Sequence, residues 1–304
     1  MIQIKRKLLA HFEQVRNNRI SSEDKKKFSQ FFHQFLDDNF EEFTYKAVLW
    51  EGEDPEDVII NIFNIIEEFK LISLSNSIPK FLKNQIEYSQ LLSGFSYNIY
   101  YQVLCLQKNT FASGVLETDL SLILMLSLTY FPEEADLIGK QFLKVLENHK
   151  EKEEENNYYN GRVKEMFGYS DIIWLSSIVS KCYGKEDMSG KISNYCSENA
   201  NPIYEKAVSN LFSMDEAIVN TWVDEMVDFH IRNSKNDLTL PFNHEEWQYF
   251  PIEIISLLEL RLRKGFEISF IENSFLKEFL PHLGISVPIE LDEFTQKLKT
   301  RVTG

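Results

Sequence analysis

Apolar residues recur at positions i, i+3 and i+4 through most of this chain, and few Pro or Gly residues interrupt them. The 304 residues include only 8 Pro and 11 Gly. This spacing gathers apolar side chains on one face of an α-helix, whereas a half-buried strand alternates apolar and polar residues. No motif recurs at the fixed period of a helical repeat protein. The sequence therefore predicts an all-α fold, an irregular multi-helix assembly of about a dozen helices with no regular repeat.

Proline residues at the expected N-termini locate two of these helices. An Asp-Pro pair at 54–55 and a Phe-Pro pair at 131–132 each precede an apolar stripe. Pro is favoured in the first turn of a helix because a backbone N–H at that position would have no partner within the helix. The stripes run over Val58–Phe69 and Ala135–Val145. Spacing alone predicts further helices over residues 4–17, 22–37, 85–107, 117–130, 171–183, 201–212 and 214–233.

The segment Glu245–Gly284 carries the clearest helix boundaries. Pro251 suits the first turn of a helix, and Ile and Leu follow at helical spacing. Gly265 can adopt the left-handed conformation that commonly ends a helix. A short extension and a second helix over residues 274–280 are expected to follow, with Pro281 as the stop.

Charged residues near the end of this helix support the same assignment. Arg261 and Arg263 lie in its last turn, where positive charge suits the helix dipole. Glu259 precedes Arg263 by four residues, the favourable order for an ion pair on a helix surface. We therefore expect these two side chains to form an exposed pair.

One charged segment could divide the chain. Asn148–Gly161 contains no apolar residue except two Tyr, so it is the best candidate for a linker. It would separate an N-terminal helical region, residues 1–150, from a C-terminal helical region, residues 162–304. The same composition equally suits a frayed helix end and a surface loop within one continuous domain.

The net charge of −15 restricts the partners of the protein. It argues against nonspecific binding to nucleic acid or to anionic lipid, and a charged partner should be basic. Residues 1–36 are the exception, with eight Lys or Arg against three Asp or Glu. A solvated pair of N-terminal helices explains this local excess better than nucleic-acid contact does, because the rest of the chain would repel phosphate.

Cysteine usage and hydropathy indicate a cytoplasmic protein. The three cysteines, Cys105, Cys182 and Cys196, are widely and irregularly spaced, as expected of core thiols in a reducing compartment. The N-terminus lacks the continuous apolar region and the cleavage site of a secretory signal. The longest apolar stretch, Leu120–Phe131, is shorter than a membrane span and predicts a buried helix, so no membrane association is expected.

Catalytic signatures are missing from the sequence, which predicts neither an enzyme nor a cofactor or metal. No two glycines lie closer than six residues apart, so a phosphate-binding loop is not indicated. His230 and His244 are too far apart for a zinc-binding helix, and no Ser or Cys has an activating neighbour in sequence.

The acidic cluster Asp37, Asp38, Glu41 and Glu42 is the one competing catalytic hypothesis. Carboxylates at i, i+3 and i+4 on a helix can converge on Mg²⁺. The alternative is therefore an all-α, Mg²⁺-dependent enzyme acting on a diphosphate. The simpler interpretation, which we prefer, is a helix end followed by a solvated acidic turn.

A second acidic pattern indicates a binding surface. In the helix that begins near Met214, Ala217, Ile218, Trp222, Met226 and Phe229 are predicted to face inward. Asp224 and Asp228 then share an outer face, with Glu216 or Glu225 at its margins. Like charges four residues apart destabilise a helix slightly, so a basic partner could favour the pattern, although an ordinary solvated face would look the same.

Glu245, Glu246 and Trp247 contribute further acidic and aromatic character. Together with Asp224, Glu225 and Asp228 they form the predicted binding surface. On this hypothesis the charges would speed association, and buried aromatic side chains would slow dissociation.

The C-terminal half resembles a known family. It contains Tyr204, Val208, Leu211 and Phe212, an Asp-Glu pair at 215–216, a helix ending in His230, the run YFPIEIISLLELRLRKGFEI and a closing Phe-Leu-Pro at 279–281. With the earlier Trp-containing segment GYSDIIWLSSIVSKCYGKEDMSGKI, this order resembles immunity protein family 49 of bacterial polymorphic-toxin systems. The resemblance covers residues 165–284.

The resemblance implies an all-α cytoplasmic protein that binds a cognate toxin domain and neutralises it by forming a stoichiometric complex. It assigns no contact residue, no toxin activity and no oligomeric state. A helical adaptor for another protein or peptide is the alternative that a sequence of this kind does not separate from an inhibitor.

Overall fold

A computed structural model describes residues 7, 9–14, 22–38, 40–47, 54–110, 117–155, 169–196, 201–237, 240–286 and 288–303. Most of these residues are helical, which confirms the predicted all-α class. Residues 9–14 are helical, and the helices that follow are α1 (Ser22–Asp38), α2 (Ile62–Leu82), α3 (Tyr88–Gln107), α4 (Glu117–Tyr130), α5 (Ala135–Glu155), α6 (Tyr169–Cys182), α7 (Glu186–Ser193), α8 (Pro202–Ser209), α9 (Glu216–Arg232), α10 (Glu245–Tyr249), α11 (Ile252–Arg263) and α12 (Glu293–Thr303).

The chain forms two compact units. The terminal unit joins Leu9–Lys108 to Val287–Gly304, and the central unit joins Met1–Leu8 to Asn109–Ser286. These groupings differ from the predicted halves, residues 1–150 and 162–304. Residues 148–155 of the predicted linker continue α5, and residues 156–161 lie outside the described part of the chain, so a hinge there stays a prediction.

A β-hairpin in the terminal unit corrects one predicted helix. Strand β1 (Glu42–Ala47) pairs antiparallel with β2 (Glu56–Asn61), where a helix was expected to begin. The run Val58, Ile59, Ile60 is β-branched and therefore suits a strand paired with β1. Helix α2 begins only at Ile62, after the side chain of Asn61 accepts a hydrogen bond from the backbone N–H of Asn64.

Aromatic rings fill the core of the terminal unit. Phe32 of α1 stacks on Phe294 of α12 at 5.2 Å and lies 5.1 Å from Phe69 of α2, measured between ring centroids. The guanidinium of Arg301 covers the ring of Phe35 at 4.5 Å and donates to the carbonyl of Leu36. Helix α12 thus packs against the first helices of the unit.

Helix α4 forms the centre of the central unit. Every residue from Thr118 to Thr129 is buried, as predicted for the apolar stretch that begins at Leu120. The hydroxyls of Ser121, Ser127 and Thr129 are compatible with burial because they donate to the helix's own carbonyls; for example, the hydroxyl of Thr129 donates to Met125 O at 2.7 Å. None of the helices in the described ranges combines the length and hydropathy needed to cross a membrane.

Helix α11 packs against α4 and ends as predicted. Gly265 has φ +81°, its N–H donates to Leu262 O, and the N–H of Phe266 donates to Arg261 O, which is the hydrogen-bond pattern of a Schellman motif. Pro251 lies at the N-cap, one residue before the first turn.

Two other expectations for this segment are wrong. Glu259 is 6% exposed, so its predicted pairing with Arg263 is not a surface contact. Its carboxylate accepts hydrogen bonds from Gly284 N and from the hydroxyl of Tyr130, and burial raises its pKa. The predicted helix over residues 274–280 is a series of turns that ends in a 3₁₀ helix, Leu280–His282, because Asn273 caps only a single turn.

Candidate functional site

Helix α9 presents the predicted acidic residues, and its first turn is held by a local cap. The side chain of Asp215 accepts hydrogen bonds from the N–H groups of Ala217 and Ile218, at 2.9 and 3.3 Å. The N–H of Asp215 in turn donates to the hydroxyl of Ser213 at 3.1 Å. Asp at the N-cap and Glu216 in the first turn both suit the positive end of the helix dipole.

The inward face of α9 differs from the predicted one. Trp222 and Met226 are buried as expected, but the buried stripe continues through Val219, Val223, Val227 and His230. Ala217 and Ile218 are exposed, so their predicted inward orientation is wrong. The helix is rotated relative to the prediction because valines, rather than the residues of the first turn, contact the core.

The outer face carries the acidic stripe. Asp224 is exposed and accepts a hydrogen bond of 2.7 Å from the side-chain amide of Asn273. Glu225 pairs with Lys206 at 2.6 Å and is half-exposed. Asp228 is exposed, and none of the described residues pairs with its carboxylate. Asp228 and Asp224 therefore retain most of the negative charge of this face, because a basic side chain neutralises only Glu225.

Three exposed apolar side chains adjoin the N-terminus of α9. Met214 is 88% exposed, Ile218 39% and Phe212 38%. We call these three residues the apolar tip. They interleave with Asp215 and Glu216, so apolar contact surface and negative charge are combined within a few residues. Exposed apolar residues that cluster in this way mark protein interaction sites more often than scattered ones do.

Arg261 fixes the backbone beside the apolar tip. Its guanidinium donates to Leu211 O at 2.7 Å and to Glu267 O at 3.0 Å, and it lies over the ring of Phe266. That ring contacts Phe212 at a centroid distance of 5.5 Å. The sequence identified Arg261 only as a charge at a helix end. Its role in holding the loop was missed because Leu211 is fifty residues away.

The other predicted binding residues are placed differently. Glu245 is half-buried and accepts a hydrogen bond of 2.9 Å from the side chain of Asn236. Glu246 and Trp247 are buried, at 7% and 1% exposure. In this structure Trp247 therefore packs in the core of the central unit and offers no ring to a partner.

A buried histidine supports α9 from the inside. His230 Nδ1 lies 2.6 Å from Glu253 Oε1 in α11, and its Nε2 lies 3.2 Å from the carbonyl oxygen of Gln248 in α10. The ring also contacts Phe242 at 4.4 Å between centroids. His230 and Glu253 are 0% and 2% exposed, so the pair joins three helices rather than meeting a substrate.

The acidic cluster near the N-terminus does not have the geometry required by the Mg²⁺ hypothesis. Helix α1 ends at Asp38, and Glu42 begins strand β1, so the four carboxylates do not lie on one helix. Glu41 pairs with Lys108. In the described part of the chain, no group of three or more His, Cys, Asp or Glu side chains is placed to hold a metal ion.

The cysteines are weak nucleophiles in this environment. Cys105 is buried, and burial raises the pKa of Cys182. Burial raises the pKa of Cys196 to about 11. Since the thiolate is the reactive form, these thiols are poorly activated near neutral pH.

The described residues thus combine an acidic stripe on one helix of the central unit with an apolar tip at the start of that helix. We compared the chain with protein-family models, curated proteins and solved structures, and none of them matches it.

Proposed function

We propose that this protein is a cytoplasmic immunity protein that binds a basic toxin domain and neutralises it in a stoichiometric complex. The observation that carries the proposal is the surface of α9. There the apolar tip of Phe212, Met214 and Ile218 lies at the start of the helix, and the exposed Asp224 and Asp228 follow further along it. The resemblance of residues 165–284 to immunity protein family 49 supports the same function.

The chemistry of this surface suits a protein partner. Binding energy in protein interfaces is concentrated in a few side chains that become fully desolvated, surrounded by polar contacts that exclude water. Met214, at 88% exposure, can bury most of its side chain in a partner's pocket. Asp224 and Asp228 would lie at the rim of that contact, where Lys or Arg of the partner can reach them.

Charge supports the choice of a basic partner. The net charge of −15 attracts a basic protein over distances longer than those of direct contact, and this attraction raises the association rate at low salt. The effect is screened at physiological ionic strength, where the Debye length is about 8 Å. Complex formation should therefore be markedly faster at low salt.

Co-expression with the toxin encoded by the adjacent gene tests the proposal. We expect cells that carry both genes to grow, cells that carry the toxin alone to stop growing, and the two proteins to copurify. A helical adaptor would copurify without restoring growth. Absence of both protection and a complex would reject the immunity function.

The α9 surface is tested with a matched pair of charge reversals. Asp228→Lys should slow association with the toxin by about tenfold at low salt, because it replaces attraction with repulsion at the contact. Glu147→Lys, on an exposed position of α5, changes the net charge equally and should leave most of the rate intact. Equal rates for both variants, measured by stopped flow, would exclude the α9 surface while leaving the immunity function open.

A further inference from the structure

A groove of about 660 Å³ lies within the terminal unit, whereas the residues that carry the proposed function belong to the central unit. Its volume is in the range of sites for small organic molecules, about 300–1,000 Å³. Residues of α2, α3 and the start of α12 line it. The contribution of α2 is Phe69, Ile72, Ser73, Asn76, Ser77 and Lys80.

The spacing of these α2 residues makes the groove long. Each of them has another of the six three or four residues away, so together they form a continuous face of the helix. From Phe69 to Lys80 this face extends about 16 Å, at a rise of 1.5 Å per residue. An elongated ligand therefore fits the groove better than a compact one.

One end of the groove is aromatic. The ring of Phe69 lies 5.1 Å from that of Phe294 and 6.2 Å from that of Tyr97. The acidic residues at this end already have partners. Asp292 accepts hydrogen bonds from the Tyr97 hydroxyl at 3.1 Å and from Thr295 N at 2.9 Å, and Glu293 pairs with Lys297 at 3.0 Å.

The other end offers an unpaired positive charge. Lys80 is exposed, lines the groove and forms no ion pair with a described residue. One turn earlier, Ser77 is 8% exposed, and its hydroxyl has no hydrogen-bond partner among the described residues. A buried hydroxyl without a partner is unfavourable, and a ligand or a water molecule would satisfy it.

We propose that this groove binds a single-chain amphipathic anion of the alkyl carboxylate type. Lys80 receives the carboxylate, and the Ser77 hydroxyl turns toward it. Ile72, Phe69 and Phe294 cover the alkyl chain. The sign of the ligand's charge follows from Lys80, which is the basic residue of the lining and lies at the opposite end of the groove from Asp292 and Glu293.

Calorimetric titration of the full chain with dodecanoate tests this inference. We expect saturable binding of one ligand per chain. Dodecyltrimethylammonium, with the same chain length and the opposite charge, should bind at least about tenfold more weakly, although the protein is acidic overall. Hexanoate should also bind more weakly, because its chain buries less apolar surface. Binding that does not saturate, or a preference for the cation, would overturn the inference.

Two variants locate the site. Lys80→Gln should weaken dodecanoate binding by about tenfold, since it removes the charged donor. Lys46→Gln, on the exposed face of β1, is the matched control and should bind as the unsubstituted protein does. Ser73→Phe should block the groove while the thermal unfolding midpoint stays within a few degrees. If Lys80→Gln binds as tightly as Lys46→Gln, or Ser73→Phe folds and still binds, the groove is not the site.

Discussion

His230 and Glu253 form a hydrogen bond inside the central unit. The N–H at His230 Nε2 donates to the carbonyl of Gln248. The hydrogen bond to Glu253 therefore depends on a further proton between Nδ1 and Oε1, which are 2.6 Å apart. The geometry resembles that of a catalytic dyad, but neither side chain reaches solvent. The pair therefore acts by orienting α9, whose opposite face carries Asp224 and Asp228.

Substitutions at Glu253 separate the loss of the pair from the loss of its charge. Glu253→Ala should lower the free energy of unfolding by about 3–5 kcal/mol, because it leaves a buried His230 without its partner. Glu253→Gln should cost only about 1 kcal/mol, since the amide can donate to Nδ1 while Nε2 still donates to Gln248. Urea unfolding followed by circular dichroism measures both values. Equal losses would mean that the amide does not replace the carboxylate at Nδ1.

The predicted binding residues show what sequence can establish at this scale. Asp224 and Asp228 are exposed as expected, because charges four residues apart on an amphipathic helix face outward. Trp247 is buried, which composition alone does not reveal. Met214 was predicted to begin the helix, and its exposure was missed because it lies in the turn before Glu216, where helical spacing does not apply. A Ser-Met-Asp sequence before the helix was the available signal, since it places an apolar residue in a capping turn.

Among the secondary-structure elements, those with strong local signals were predicted best. Helix α11 ends at Gly265 as predicted, since the Schellman motif depends only on neighbouring residues. The β1–β2 hairpin was missed because helical spacing and a β-branched run coincide over residues 58–60. Its pairing with Phe43–Tyr45 decides between them, and that contact is not local. Tertiary packing likewise determines which face of α9 is buried, and that face differs from the one predicted from helical spacing.

Glycine substitutions in two elements test the role of backbone conformation. At Gly265, φ is +81° and no atom lies within 4 Å of an added Cβ, so Gly265→Ala suffers from backbone strain alone. We expect a loss of about 1–2 kcal/mol in the free energy of unfolding. Gly190, inside α7, is equally open but lacks a positive φ, so Gly190→Ala should gain about 0.5–1 kcal/mol. Thermal unfolding should show shifts of opposite sign; shifts of the same sign would contradict the conformational explanation.

For the whole molecule, the main finding is that each unit combines segments that are distant in sequence. The terminal unit takes α1 to α3 from one part of the chain and α12 from another. The side chain of Gln107 donates to the carbonyl of Val302, and Phe294 packs between Phe32 and Phe69. The sequence predicted two consecutive regions because its only visible boundary was the charged segment at 148–161. Contacts between residues distant in sequence do not change the local composition, so they could not be predicted in this way.

Deleting α12 tests this organisation. Removal of residues 293–303 should expose the rings of Phe32 and Phe69 and speed amide hydrogen exchange in α2 and α3. Exchange in α4 and α11 should change little, since those helices belong to the central unit. Mass spectrometry of peptic fragments resolves the two responses. An equal loss of protection in α4 and α11 would show that the two units unfold together.

The packing of α12 also determines when folding can finish during synthesis. Domains generally fold as they leave the ribosome, starting with the earliest part of the chain. Here α1 to α3 emerge first but lack α12, which is translated only after the whole of Asn109–Ser286. The central unit can therefore complete its fold first. Until α12 emerges, the apolar faces of the nascent terminal unit stay open to chaperones.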